Sequence, residues 1–456
     1  MENKNEFLAT EPVVSLIAKF AIPSILSLLV MSAYNITDQI FIGNVVGVLG
    51  NAATNVSFPI VTLSGAISVL IGIGTSSNFN ISMGAKKYED AKEYIGTGLS
   101  LLLGVGILML IFVLLFKDTL LKLFGATENV LPYASIYLGI TAFGLPFTIF
   151  TGAASAIIRA DGSPTYSMIC NVIGAILNVF LDYLFMFPLK LGIAGAAIAT
   201  VSGQIISFIL SIAYFFKFKS FKLDLSMIKP KLSYAINIVK LGAPNCINLV
   251  LIMVVNIILN NTLKYYGSKS IYGGDIPLAV AGVVSKVASI IIAISVGLAQ
   301  GCQPVLGFNI GAKNYKRVRE TYIKAVIASL SISLIFFIIF QFYPHLVINI
   351  FGRGDELYTN FAEKYIRIYM FFIFSYAIEP LTVNYFSSTG NSKAGVILSL
   401  TRQAFGLIPM LIILPMIFGI NGVLFAGPVS DIISTTISTI MIVINLRQLK
   451  KLESAK

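Results

Sequence analysis

The chain has 456 residues, 57% of them hydrophobic and 11% charged, with a mean hydropathy of +0.88. A soluble domain carries about 25% charged residues and cannot hide this much apolar surface, whereas a bilayer offers an apolar solvent for it. The net charge of +12 does not point to nucleic acid, because the basic residues cluster in short loops between apolar runs, as in a positive-inside membrane protein.

A spanning helix needs about 20 mostly apolar residues. The sequence predicts twelve, over residues 14–43, 50–80, 94–116, 130–158, 165–188, 192–216, 233–264, 276–308, 321–349, 360–388, 394–418 and 420–446. The polar opening MENKNEFLATEPVV has the features of neither a signal nor a transit peptide, so the first span is expected to serve as the insertion signal. Basic residues concentrate in loops such as KFKSFKLDLSMIKPK at 217–231 and GAKNYKRVRE at 311–320. Placing these inside predicts that both termini are cytoplasmic. Cys170, Cys246 and Cys302 are odd in number and lie in or beside apolar runs, which gives neither a disulfide framework nor a zinc site.

The chain repeats itself. Gly84-Ala-Lys-Lys-Tyr88 recurs as Gly311-Ala-Lys-Asn-Tyr315, an offset of 227 from 84 to 311. Phe124-Gly125 recurs as Phe351-Gly352, and Pro188, Gly192 and Gly195 recur as Pro415, Gly419 and Gly422. Lys19 and Pro23 match Lys240 and Pro244, and Gly162 matches Gly390. The halves, 1–225 and 226–456, hold six spans each. An even number gives them the same orientation, so they are parallel repeats, two lobes about a pseudo-two-fold axis along the membrane normal. The fold class expected is an all-α integral membrane protein with twelve transmembrane helices around a central cavity, its lobes joined by the basic linker 217–231.

Ionisable groups inside a membrane are costly, and where they persist they mark function. Asp38, Asp182, Glu379 and Asp431 fall within the predicted spans, as do Lys286 and Arg402. Asn178 and Asp182 are four apart, on one helix face, as are Tyr34 and Asp38. Thr200 lies on the sixth span among the small residues Gly192, Gly195, Ala196, Ala197 and Ala199, which permit close helix approach. Together these helices would gather oxygen ligands suited to a hard cation such as Na⁺, or two carboxyls suited to proton capture. The second half does not copy this cluster: its matching positions are Phe405 and Pro409, and Asp431 matches Gln204. For Glu379 and Asp431 two readings stand: an ion pair of Arg402 with one of them that stabilises the bundle, or a Glu379 that faces the cavity and attracts cationic substrates, with Arg402, Asp431 and Tyr34 as further substrate contacts.

These residues resemble the multidrug and toxic compound extrusion (MATE) family over about residues 10–447. The resemblance rests on the two six-span halves, Pro23 in AIPSIL, the aspartate of NITDQIFIG, Asn178-x-x-x-Asp182 in LNVFLDYLF, the Gly-Ala-Lys-x-Tyr loops and Arg159-Ala-Asp-Gly162. It implies an antiporter that exports drugs, organic cations or metabolites against Na⁺ or H⁺. It implies a cation site of Asp38, Asn178, Asp182 and Thr200, joined by Tyr137, and a hinge of the first span at Pro23. Some members carry an acid on the seventh span, where this chain has Asn248 and Asn256; Glu379 falls near an acid that some carry on the tenth.

No G-x-x-x-x-G-K-[ST] phosphate loop occurs, so an ion gradient is the expected driver. A rival within the same superfamily is a flippase of lipid-linked saccharides, which would need cavity bases for pyrophosphate. The sole histidine, His345, lies beside Pro344 near a span end, and no nucleophile–base constellation accompanies it, so an enzyme is not expected. No cofactor is expected beyond the coupling ion. The expected partners are an amphipathic organic cation and membrane lipid, for a monomer in the cytoplasmic membrane.

Overall fold

A computed structural model describes residues 5–351 and 355–454, which are almost wholly helical. The first half contains α1 (Val13–Val45), α2 (Val48–Gly84), α3 (Tyr88–Leu123), α4 (Leu131–Ala160), α5 (Pro164–Met186) and α6 (Gly192–Phe215). The second contains α7 (Leu232–Ser268), α8 (Asp275–Gly311), α9 (Tyr315–Phe342), α10 (Glu356–Tyr369 with Phe374–Ser388), α11 (Ser392–Phe418) and α12 (Ile420–Ser454). Among the described residues eleven helices are long and apolar enough to span, and twelve when the bent pair of α10 counts as one. The chain is a multi-pass membrane protein, and its apolar residues face outward as well as inward: Leu108 and Leu115 of α3 are 65% and 73% exposed. In water that would be a liability; in lipid it costs nothing.

Three elements depart from the expected spans. The ninth was expected over 321–349, but α9 stops at Phe342 and a separate short helix, Pro344–Phe351, follows. Pro344 cannot continue the helical ladder and pushes Tyr343 out of helical geometry (φ −129°, ψ 41°). The tenth, expected as one run over 360–388, bends by 47° between Tyr369 and Phe374. Within α11, Thr401–Leu407 is π-helical. Such segments concentrate at functional sites, and this one carries Arg402.

The sequence repeat recurs in backbone geometry. Lys86 and Lys313, the third residues of the two Gly-Ala-Lys-x-Tyr loops, are left-handed (φ 59° and 57°). Gly192 and Gly419 are both at φ 57°, and the ψ of −138° at Gly419 puts that turn in a region reserved for glycine. Gly352, the partner of Gly125, lies outside the described residues.

Both ends of the described chain lie at one face, here called the termini face. The halves meet most closely there. A Cβ on Gly84 would lie 1.9 Å from the Phe308 carbonyl oxygen, and one on Gly311 would lie 2.1 Å from that of Ile81. These two contacts are related by the 227-residue offset. Repeat partners also touch directly: Gln303 donates to Ser76 Oγ at 2.7 Å, and Gly307 packs on Asn80. A residue that touches its own repeat partner lies on the axis relating the halves, so the axis runs between α2 and α8. Gly242 against Leu70 and Gly301 against Ala21 extend the seal to α7 and α1.

A short strap crosses the same face. Asn5 donates to Ser220 Oγ in the linker (3.1 Å), and Phe7 stacks on Phe20. The Leu8 carbonyl accepts from Asn309 (3.0 Å) and Arg317 (3.1 Å) of the second half, and Arg317 also donates to the Glu11 carbonyl. The linker is held against the first half: Asp161 accepts from Tyr214 Oη (2.7 Å) and the Lys219 and Ser220 amides, and Lys231 pairs with Glu93 at 2.6 Å. Burial lifts the Asp161 carboxyl above its usual range, while its hydrogen bonds from Ser220, Lys219 and Tyr214 pull it back down.

Candidate cation and substrate site

The acids of the first half meet where α1, α4, α5 and α6 converge, toward the face opposite the termini. Small residues make the convergence possible. On α5 Gly174 abuts Ser207 of α6, and on α6 Gly203 abuts Gly174 and the Asn178 Cβ. Ser207 Oγ donates across the gap to the Cys170 carbonyl at 2.9 Å. This approach brings Asn178 Nδ2 to Thr200 Oγ1 at 3.4 Å. One turn on, Asp182 is fully buried, and the Asp38 carboxyl of α1, itself buried, is close enough for the two charges to interact. Tyr34 of α1 and Tyr137 of α4, both buried beside them, are close enough to feel the two carboxyl charges. The structure therefore brings together Asp38, Asn178, Asp182, Thr200, Tyr137 and Tyr34.

Their hydrogen bonding is incomplete in one sense only. Asp38 Oδ1, both Asp182 oxygens, Asn178 Oδ1 and Gln204 Oε1 are buried and accept from no protein donor. Buried acceptors are normally satisfied, and each exception costs about 1–3 kcal/mol, more when charged. Such a set of lone pairs matches a proton or a hard cation.

The cluster borders a cavity of about 280 Å³ within the first half, reached by Gln300 of α8. Tyr34, Asn178 and Thr200 line it at one end, and Ser24, Asn171 and Arg159 at the other. Pro23, buried in α1 beside Ser24, leaves the Lys19 carbonyl without its helical donor; α1 nonetheless runs unbroken from Val13 to Val45.

Glu379, Arg402 and Asp431 lie elsewhere. Arg402 Nε donates to Asp431 Oδ1 at 2.9 Å and sits 3.5 Å from Glu379 Oε2, with its guanidinium 4.7 Å above the Tyr376 ring. All three are buried, and none lines the cavity. Here the geometry is that of an internal ion cluster, with two acids around one base. Lys286, the other base expected inside a span, is exposed on α8.

The sequence marks Arg159 only as part of a loop motif and not as a cavity residue. Arg159 was placed just beyond a span ending at 158, yet it occupies the last turn of α4, buried, and lines the cavity. The signal available was its company, a lone basic residue between Ile158 and Ala160 in an otherwise apolar run.

A family model described as MatE matches residues 23–184 and 244–412, one block in each half. The chain belongs to the MatE family. Among MatE relatives, the multidrug export protein MepA of Staphylococcus aureus is 25% identical over 422 residues, covering 92% of this chain and 91% of that protein. Two solved structures share the fold with a TM-score of 0.90 and cover 98% of this chain and 99% of theirs. One, 21% identical, is described as the outward-facing conformation of a multidrug resistance MATE family transporter of the MOP superfamily. The other, 22% identical, is a MOP superfamily transporter from Pyrococcus furiosus, whose binding pocket is described as of reversed polarity, suggesting a different function.

Proposed function

We propose that this MatE protein is a secondary active antiporter that exports amphipathic organic cations, drugs or metabolites in exchange for Na⁺ or H⁺ by alternating access. The carrying observation is the set of buried acceptor oxygens on Asp38, Asn178 and Asp182 that no protein donor satisfies, beside a cavity of ligand size. A cation entering from the face opposite the termini binds at the Asp38–Asp182 pair and offsets part of its negative charge. Its preference for one arrangement of the lobes over the other then does the coupling. Thr200 and Tyr137 complete the oxygen set, Tyr34 offers a ring to substrate, and Pro23 is the point at which α1 can yield. The flippase reading is not favoured: Arg402 is committed to two acids, and Arg159 is the single base lining the cavity, where a pyrophosphate calls for several.

The basic loops of the termini face fit the cytoplasmic side of a plasma membrane. The structure then corresponds to a state closed to the cytoplasm. The two lobes within one chain make a monomer sufficient. One charge crossing about 100 mV supplies roughly 2.3 kcal/mol, and at about 1.4 kcal/mol per tenfold it sustains an export gradient of some tens-fold.

The test is efflux of ethidium from proteoliposomes under imposed Na⁺ or proton gradients, comparing wild type with Asp38→Asn and Asp182→Asn. Gradient-driven efflux should fall at least tenfold in each variant while insertion is retained, and the effective gradient names the ion. Efflux unchanged in both variants would sink the cation site.

A further inference from the structure

Arg159 has no counter-charge. It is 6% exposed and lines the cavity, yet no described acid pairs with it. Its one side-chain hydrogen bond runs from Nη1 to Ser167 Oγ at 3.5 Å, and its Nε, fully buried, donates to nothing. Asp161, two residues on, is occupied by Tyr214, the Lys219 amide and Ser220. A guanidinium stays charged in a protein, and a buried charge without a partner is strongly unfavourable. A purely architectural role is also poorly supported by the repeat. The matching positions of the second half, at offsets of 227 and 228, are Phe386 and Ser387, so the same scaffold is built there without a base.

We propose that Arg159 is an anion subsite at the termini end of the cavity, which takes a carboxylate of the transported molecule and makes zwitterions preferred over simple cations. The inference rests on the export reading above. A single guanidinium matches one carboxylate through two parallel N–H donors, whereas a phosphate or pyrophosphate calls for several bases, and none of the other cavity-lining residues is basic. Ser27, whose oxygen accepts from Asn171, adds a hydroxyl donor to the cavity wall. The subsite is distinct from the cation site. Ser167, which Arg159 contacts, and Asp182 are both on α5, and their separation along the helix is about 20 Å. A carboxylate held at Arg159 therefore does not compete with the coupling ion at Asp38 and Asp182.

The test uses a matched pair of dyes, tetramethylrhodamine (a zwitterion) and its methyl ester (a cation), with wild type, Arg159→Gln and Arg159→Lys. Proteoliposome uptake gives the zwitterion-to-ester transport ratio, and fluorescence polarisation with nanodisc-embedded protein gives the ratio of binding constants. Loss of a charge-assisted pair should lower both ratios about tenfold or more in Arg159→Gln, with partial recovery in Arg159→Lys. Ratios unchanged by Arg159→Gln, whatever the absolute rates, would show that the arginine is architectural and overturn the subsite. The same holds if wild type binds the ester and not the zwitterion. Replacing chloride by methanesulfonate, which carries no carboxylate, separates the remaining source: wild-type ratios that move on chloride removal as much as on Arg159→Gln assign the site to an inorganic anion and overturn the carboxylate reading. Absence of wild-type transport of either dye counts against the export function, while the binding ratios still decide the subsite.

Discussion

At the scale of single residues, buried charge is distributed unequally between the halves. Among the described residues, the buried charges of the second half form one cluster, with Arg402 between Asp431 and Glu379. Deleting one partner of a buried ion pair costs about 3–5 kcal/mol, because the remaining charge is left without compensation. Arg402→Met is therefore expected to lower stability by about that amount, read as the midpoint of thermal unfolding in detergent. Adding Asp431→Asn to Arg402→Met should restore part of the loss; a fully additive double mutant would mean that the two side chains do not interact. The acids of both clusters were legible in the sequence, because a carboxylate in an apolar run announces itself. Which of them faces another charge was not, since pairing depends on helix rotation, to which hydropathy is blind. The place of Arg159 inside the helix was illegible for a related reason: a boundary drawn from hydropathy stops at the first charge, and the helix does not.

At the scale of elements, the site depends on how closely α5 and α6 approach. The sequence pointed to small residues on α6, but named Gly192, Gly195 and the alanines after them. The contact that sets the distance lies further along, where Gly174 meets Ser207 and Gly203 meets Asn178. Spacing gives a helix face; it does not give the crossing point. Gly174→Val would drive a branched side chain into Ser207 Oγ, which lies 1.9 Å from where a Cβ would be. It should separate Asn178 from Thr200 and reduce gradient-driven ethidium efflux at least tenfold in inserted protein, while Gly104→Val on α3, whose Cβ would meet nothing within 4 Å, should leave efflux unaltered. Equal efflux in the two variants would remove the crossing from the mechanism. The bend of α10 was illegible for a plain reason: the residues between Tyr369 and Phe374 are Met370, Phe371, Phe372 and Ile373, with no proline or glycine to mark a break.

At the scale of the whole molecule, the two-fold repeat was the most legible feature, because matched glycines survive where backbones touch. The structure adds where those glycines act. Gly84 and Gly311 hold the termini face shut through the Phe308 and Ile81 carbonyls, while Asn80, buried on the axis, has an amide that bonds to nothing. Close packing favours the closed face and the unsatisfied amide opposes it. Gly311→Val, by adding atoms where none fit, should shift the population toward an open termini face. Cys302, 1% exposed and packed with Ile17 and Ala21, reports this. With Cys170 and Cys246 replaced by serine, maleimide labelling of Cys302 should rise several-fold in Gly311→Val; labelling equal to that of the parent would show that the glycine contact does not control the face.

The strap gives the two chain ends unequal standing. The amino-terminal segment is tied to both halves, through Asn5 to Ser220 and through the Leu8 carbonyl to Asn309 and Arg317. The carboxyl end is tied within its own half, by Glu453 to Arg319 at 2.7 Å. Whatever is fused ahead of residue 5 hangs from a tether that must stretch or detach each time the lobes part, whereas a fusion after residue 454 rides on one lobe as a passenger. An affinity tag or a fluorescent protein belongs at the carboxyl end if the transport cycle is to be left as it is.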